Sequence, residues 1–257
     1  VGRATRLVQL LQEDDKTYRA EMFLGAATDS QDAFGELVHA SRDCAVPRER
    51  LLDTMARFVG DVEQVPPMTS AVKHKGRKLY ELARQGIEVK RAKRRIRIHR
   101  LEVVRIEPDD DVLRFGTKVT FDVTCSKGTY VRTLCADIGE ALGCGAFMSF
   151  LLRTRVGALM LNEARSWDAL DRDVAAGKPV ILPPDAGLDR WEAVRLSASD
   201  ARRILNGQAV AVAGGSFDAS HARQLVRLHA PDGRLVAMAQ PQRRGQQVVW
   251  QPRIVFS

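Results

Sequence analysis

Long apolar runs and closely spaced cysteines are both missing from this sequence of 257 residues. No stretch of about 18 uncharged apolar residues occurs and no basic-then-apolar signal pattern opens the chain, so we expect a cytoplasmic protein that neither spans nor crosses a membrane. No CxxC pair and no glycine-rich phosphate loop is present, so neither a metal nor an organic cofactor is expected. Buried, reduced thiols are expected at the four cysteines, Cys44, Cys125, Cys135 and Cys144.

Negative charge is scarce in one stretch of the chain, residues 73–100. This stretch contains twelve Lys or Arg and two Glu, a net charge of +10, so the remainder of a chain whose total is +8 carries −2. Such a cluster is typical of a surface that binds a polyanion, because each cation set against a phosphate releases a counterion. An ordinary solvated face is the alternative, and charge alone does not separate RNA from DNA.

The spacing of apolar residues predicts an α+β fold, with a mixed, mainly antiparallel sheet and flanking helices, followed by a small β-rich module. We expect one domain over residues 1–185 and a second over 190–257, with the boundary near Pro183 and Pro184. Alternation of apolar and polar residues predicts strands at 16–24, 94–106 and 112–124, and a short apolar run predicts a buried strand at 147–152. Helical spacing predicts helices at 47–59, 77–85, 129–142 and 195–207, with Ser126 or Thr129 capping the third of these.

Three groups of short motifs occur in order along residues 1 to 160. They are Lys16-Thr-Tyr-Arg19 with Gly25 and Thr28-Asp-Ser-Gln-Asp32, then Pro67-Met-Thr-Ser-Ala-Val-Lys73 with Gly76-Arg-Lys-Leu-Tyr80, and finally Cys125-Ser-Lys-Gly-Thr-Tyr-Val-Arg-Thr133 with Leu142-Gly-Cys-Gly-Ala146. In order and spacing they resemble the bacterial tRNA pseudouridine-55 synthase (TruB) family. Residues 190–257 resemble, with less specificity, the diverged PUA-type RNA-binding module of that family.

The resemblance implies an isomerase that converts the T-loop uridine at position 55 of tRNA to pseudouridine by flipping the base. The family's catalytic aspartate lies in the motif Gly-His-x-Gly-Thr-Leu-Asp-Pro-Leu-Ala-Thr-Gly, about a dozen residues before the position that matches Val1, and this motif is not in the sequence. We therefore expect the chain to lack its natural beginning, and to bind RNA without isomerising it.

Six residues are candidates for the site, and four of them match functional positions of the family. By resemblance, Tyr18 contacts the flipped base and exchanges a proton, and Arg132 pairs with the catalytic carboxylate, a task that suits a bidentate guanidinium. Tyr130 and Leu151 match the lining of the uracil pocket, and Lys73 and Lys127 are expected to contact phosphates. Without the resemblance, ordinary packing and surface ion pairs would account for all six. Asp29 and Asp32 are assigned to a turn, since Asp readily bonds its own backbone there.

The expected partner is the T-arm of tRNA, bound by a monomer. Two alternatives stay open: a non-catalytic protein that binds or folds tRNA, and a general basic nucleic-acid binder that shares the motifs by chance. The second alternative requires the pocket residues to be scattered over the fold.

Overall fold

The computed structural model describes residues 2–212 and 224–256. The helices are α1 (Val8–Leu11), α2 (Arg48–Ala56), α3 (Leu79–Ala83), α4 (Val131–Leu142), α5 (Trp167–Ala175) and α6 (Ala198–Leu205), with 3₁₀ turns at Gly2–Leu7 and Leu161–Glu163. The strands are β1 (Lys16–Leu24), β2 (Ala26–Thr28), β3 (Leu37–Ala40), β4 (Ala45–Pro47), β5 (Gly60–Gln64), β6 (Lys73–His74), β7 (Arg77–Lys78), β8 (Arg94–Glu107), β9 (Val112–Arg114), β10 (Lys118–Cys125), β11 (Ala146–Val156), β12 (Leu159–Met160), β13 (Ala193–Arg195), β14 (Val210–Ala211), β15 (Val226–His229), β16 (Leu235–Arg244) and β17 (Gln247–Val255).

Two compact units make up the chain, one of residues 13–162 and the other of residues 1–12 together with 163–257. Antiparallel strands with helices form the first unit, and the C-terminal part of the second is rich in strands, which confirms the α+β fold class. The domain division near residues 185–190 stays a prediction. Residues 213–223 and 257 of the predicted β-rich module lie outside the described residues.

A six-stranded antiparallel sheet, in the order β12-β11-β1-β10-β8-β5, forms the centre of the first unit. Alternation places Ala20, Met22 and Leu24 of β1 in the core. Arg19, which precedes them on the strand, is exposed. Helix α4 covers β1 and β11, and its buried face is the one that helical spacing predicts, with Val131, Leu134, Cys135, Ile138 and Leu142.

Some predicted elements have different limits in the structure. The strand predicted at 112–124 is broken at Gly116, whose φ is +91°, so that β9 pairs with β4 and only β10 pairs with β8. The capping prediction for α4 was wrong: Tyr130 occupies the cap position, and the Thr129 hydroxyl donates to the carbonyl of Ser126 instead. The run at 147–152 lies in a longer strand, and its last three residues, Phe150 to Leu152, are exposed rather than buried.

A five-stranded sheet, in the order β13-β15-β16-β17-β14, forms the second unit with α6 packed on it. The polar helix predicted at 195–207 is shorter, and the hydroxyl of Ser197 accepts a hydrogen bond from Asp200 N–H at 3.1 Å at its start. Ile204 of α6, Leu228 of β15 and Ala237 of β16 are fully buried together. This unit therefore has its own hydrophobic core.

Across residues 2–212 and 224–256, no helix combines the length and the apolar character needed to cross a membrane. The four cysteines are buried, as predicted.

Gly139 is the point of closest contact between α4 and the chain that leads into β11. A Cβ at this position would lie 2.1 Å from the Ala146 nitrogen and 2.4 Å from the Gly145 carbonyl carbon. Helix propensity alone would make Gly139→Ala stabilising by about 1 kcal/mol, but we expect the clash to reverse the sign and to lower the free energy of unfolding by about 1–3 kcal/mol. Urea unfolding measures this, with Ala141→Gly on the exposed side of the same helix as the baseline for propensity. A stabilised Gly139→Ala variant would contradict the close packing.

Candidate active site

Arg132 is the residue on which three segments of the first unit converge. It lies in the first turn of α4, where its Nη1 donates to the Asp32 carboxylate at 3.0 Å and its Nη2 donates to the carbonyl of Thr69 at 2.9 Å. The Arg132 and Asp32 side chains are 22% and 15% exposed, so this ion pair is largely shielded from water. The guanidinium is therefore fixed by two partners while one edge of the pair stays accessible from solvent.

The turn that carries Asp32 is closed by its own hydrogen bonds. One carboxylate oxygen of Asp32 accepts from Ser30 Oγ at 2.7 Å and from Phe34 N–H at 3.1 Å, and the other receives Arg132. Asp29 accepts from Glu36 N–H at 2.9 Å. Both aspartates lie in the turn to which the sequence assigns them, and Asp32 in addition joins that turn to α4.

Gln31 is held in an unusual backbone conformation at the same place. Its φ is +66°, a left-handed backbone value that residues other than glycine rarely adopt. The surroundings hold it from two sides, because its carbonyl accepts from Met148 N–H of β11 at 3.0 Å and its side-chain oxygen accepts from the Thr133 hydroxyl of α4 at 2.7 Å. Strained residues of this kind are common at functional sites, where the surrounding structure compensates their cost.

Tyr18 lies near the start of β1, between Val123 of β10 and Arg153 of β11. Its ring packs against the main core, and Arg153 is its cross-strand neighbour on β11. Burial raises the pKa of the Tyr18 phenol, a nearby Cys125 raises it further, and Arg153 opposes both. The phenol is therefore protonated at neutral pH and can donate a hydrogen bond.

Leu151 belongs to the same face of the sheet as Tyr18. On β11, Leu151 is paired with Ala20 and Arg153 with Tyr18, without a register shift between the two pairs. Since side chains two residues apart on a strand share a face, these four positions form one patch. Leu151 is 40% exposed, so an apolar surface is open to solvent beside the tyrosine.

Tyr130 is positioned through its backbone. The buried side-chain amide of Gln64 accepts from Tyr130 N–H at 3.1 Å and donates to the Tyr130 carbonyl at 3.3 Å. This pair of bonds ties the residue before α4 to the segment that reaches Thr69.

The two predicted phosphate-binding lysines lie apart from this group. Lys73 is exposed on the β6–β7 hairpin, opposite Lys78. Lys127, in the turn before α4, forms an ion pair with Glu13. Among the residues that the structure describes, no hydrogen bond or ion pair joins either lysine to Arg132, Asp32 or Tyr18.

Two family models together match residues 1–188, which include all of this unit and part of the other. The model of the TruB family pseudouridylate synthase N-terminal domain matches residues 1–131, and that of the tRNA pseudouridylate synthase B C-terminal domain matches residues 132–188. The chain belongs to the TruB family. Its class is accordingly that of the pseudouridine synthases, which are isomerases.

Curated TruB relatives are similar over most of the chain. The tRNA pseudouridine synthase B of Symbiobacterium thermophilum is 47% identical over 212 residues, which cover 82% of this chain and 68% of that protein. The tRNA pseudouridine synthase B of Heliobacterium modesticaldum is 39% identical over 259 aligned positions, which cover all of this chain and 80% of that protein.

A solved structure with the same fold is a chain of the Cbf5-Nop10-Gar1 complex. It has a TM-score of 0.70 and 27% identity, with 99% of this chain and 70% of that chain covered. A chain of an H/ACA RNP bound to a substrate RNA containing 2'-deoxyuridine has a TM-score of 0.67 at 23% identity and supports the fold alone. The chain thus resembles TruB relatives in sequence and these two solved structures in fold.

Proposed function

We propose that this protein isomerises the uridine at position 55, in the T loop of tRNA, to pseudouridine, and that it flips the base out of its stack to do so. The observation that carries the proposal is the fixed Arg132 guanidinium, held by Asp32 and the Thr69 carbonyl, in the same unit as the patch of Tyr18 and Leu151. Membership of the TruB family supplies the reaction, and the names of the relatives supply tRNA as the substrate.

A flipped uracil needs a pocket with an aromatic face and an apolar wall, since base-flipping enzymes hold the extruded base by stacking and apolar contact. We assign the face to Tyr18, the wall to Leu151 and a further part of the lining to Tyr130. The phenol of Tyr18 can then exchange a proton at the sugar while the glycosidic bond is broken and remade, and it recovers that proton once the new carbon–carbon bond has formed. Support for this role comes from the position of Tyr18 beside Leu151 on one face of the sheet.

Arg132 is assigned to the catalytic carboxylate. A guanidinium presents five N–H donors in a planar fork, and the bonds to Asp32 and Thr69 use Nη1 and Nη2 to fix the plane of that fork. A carboxylate that meets the same guanidinium is kept ionised and oriented. The aspartate motif of the family is not among these 257 residues, so we propose turnover for the chain joined to a segment that carries it, and RNA binding for the 257-residue chain itself.

The T arm is proposed to lie against the basic stretch 73–100, with Lys73 and Lys127 near phosphates. Lys73→Ala is expected to weaken binding of a T-arm hairpin RNA and to reduce the slope of log K against log salt by roughly 0.9, because one phosphate contact is lost. Lys178→Ala, at an exposed lysine paired with Asp173, is the control and should leave the slope unchanged. An unchanged slope for Lys73→Ala would show that Lys73 does not contact a phosphate. The protein is proposed to act as a monomer in the cytoplasm.

Binding and turnover, measured side by side, test the proposal. The T-arm hairpin RNA is incubated with the chain as printed and with the chain extended at its N-terminus by the aspartate motif segment of the family. Binding by both forms with pseudouridine made only by the extended form is the expected result. Binding without turnover by either form favours a protein that binds or folds tRNA, and turnover by the printed chain would show that another residue supplies the carboxylate.

A further inference from the structure

Phe34 is the most exposed large apolar side chain among the described residues. Its exposed fraction is 100%, and the next residues of the same hairpin, Leu37 and Val38 of β3, are each 63% exposed. Leu37 and Val38 are neighbours on β3, so their side chains point to opposite faces of the strand and do not form one surface with each other. Isolated apolar residues on a surface are ordinary, but the fully exposed ring of Phe34 is the extreme case in this hairpin.

The backbone beneath Phe34 is fixed to the candidate active site. Phe34 N–H donates to one oxygen of the Asp32 carboxylate at 3.1 Å, and Arg132 donates to the other oxygen at 3.0 Å. Ala33 N–H donates to the Met148 carbonyl of β11 at 3.0 Å, and Gly35 N–H donates to the Asp32 carbonyl at 3.2 Å. One carboxylate group therefore separates the Phe34 backbone from the Arg132 guanidinium, and the residues on both sides of Phe34 are hydrogen-bonded.

The charge around Phe34 limits the kind of group that can contact it. Residues 29–36 contain no Lys or Arg that could bind a phosphate, and the one cation that reaches this turn, Arg132, is already paired with Asp32. The face of an unpaired nucleobase is uncharged and stacks well on an aromatic ring. A ring held by a fixed backbone also loses little conformational freedom on binding, which favours its use as a platform.

We propose that Phe34 is a positioning residue for the RNA substrate, and that its ring stacks on an unpaired base next to the uridine that enters the pocket. This inference rests on the proposed function and extends it, since it assigns a specificity contact outside the pocket. The contribution of stacking to RNA affinity does not depend on salt, whereas the contribution of Lys73 does.

The test is binding of a T-arm hairpin RNA at several salt concentrations by the unaltered protein, Phe34→Ala, Phe34→Trp and Phe150→Ala. Phe150 is an exposed phenylalanine on β11, next to Leu151 and so on the opposite face of the sheet, and serves as the matched control. We expect Phe34→Ala to bind about tenfold more weakly with an unchanged salt slope, and Phe34→Trp and Phe150→Ala to bind within about threefold of the unaltered protein. The melting temperature of Phe34→Ala should not fall.

Three results would overturn the proposal. Binding by Phe34→Ala within twofold of the unaltered protein would show that the ring does not stack on the RNA. A changed salt slope would indicate an electrostatic effect. A lower melting temperature of Phe34→Ala in the form extended with the aspartate motif segment, but not in the printed chain, would show that the ring packs against protein. If the unaltered protein fails to bind this RNA, the proposed function fails as well, whereas a failure confined to Phe34 leaves it intact.

Discussion

Tyr18→Phe in the form extended with the aspartate motif segment is expected to lower pseudouridine formation by about 10²- to 10⁴-fold, the range that a lost general acid or base produces. The phenyl ring keeps the stacking face and the packing of Tyr18 against the core, so the affinity for tRNA should stay within a few fold. Single-turnover kinetics with saturating enzyme measure the first quantity, and equilibrium binding measures the second.

Tyr80→Phe is the matched control for this substitution. Tyr80 lies in α3, its hydroxyl accepts from Lys78 at 3.3 Å, and Lys78 and Arg84 lie near its ring. The same loss of a hydroxyl there should leave the chemical step unchanged. Equal losses of binding and turnover in Tyr18→Phe would show that Tyr18 mainly supports the fold.

Asp32→Asn tests whether Asp32 positions Arg132 or only shapes its own turn. The amide oxygen can still accept from Phe34 N–H, but the amide NH₂ would face the Arg132 guanidinium, donor against donor. We expect the free energy of unfolding to fall by about 1–3 kcal/mol. Turnover should fall by about 10²-fold, as a small displacement of a catalytic group can cause.

Asp122→Asn is the control. Asp122 forms a two-point ion pair with Arg19 across β1 and β10 of the six-stranded sheet. The side chains of that pair are 46% and 36% exposed, so water screens the pair; its loss should change the free energy of unfolding little and should not affect turnover. If Asp32→Asn turned over within threefold of the unaltered protein, Asp32 would be a turn residue and nothing more.

Local pattern was sufficient to predict most of the first unit. The alternation in 16–24 and the helical spacing of 129–142 predict β1 and α4 within about two residues, because each element buries one face against the same core. The break at Gly116 escaped prediction, since the apolar alternation continues through it while the backbone turns at a positive φ. The predicted cap of α4 was wrong because the helix begins only at Val131, and the residue before it, Tyr130, is held by Gln64, 66 residues earlier.

Resemblance to the family indicated which side chains to examine, but it did not indicate what holds them. Asp32 and Arg132 are 100 residues apart in the sequence, and a turn aspartate carries no local sign of such a partner. Arg153 was missed for a similar reason, because only the register of β1 with β11 sets it beside Tyr18. A prediction of that register from the sequence would have identified it.

Mapping pseudouridine at nucleotide resolution in a full-length, unmodified tRNA transcript tests the central claim most directly. The transcript is treated with the form of the protein extended by the aspartate motif segment, beside the same form carrying Tyr18→Phe. The account predicts one modified uridine, at position 55 in the T loop, which is lost in the variant. Modification at another uridine, or equal modification by the variant, would contradict it.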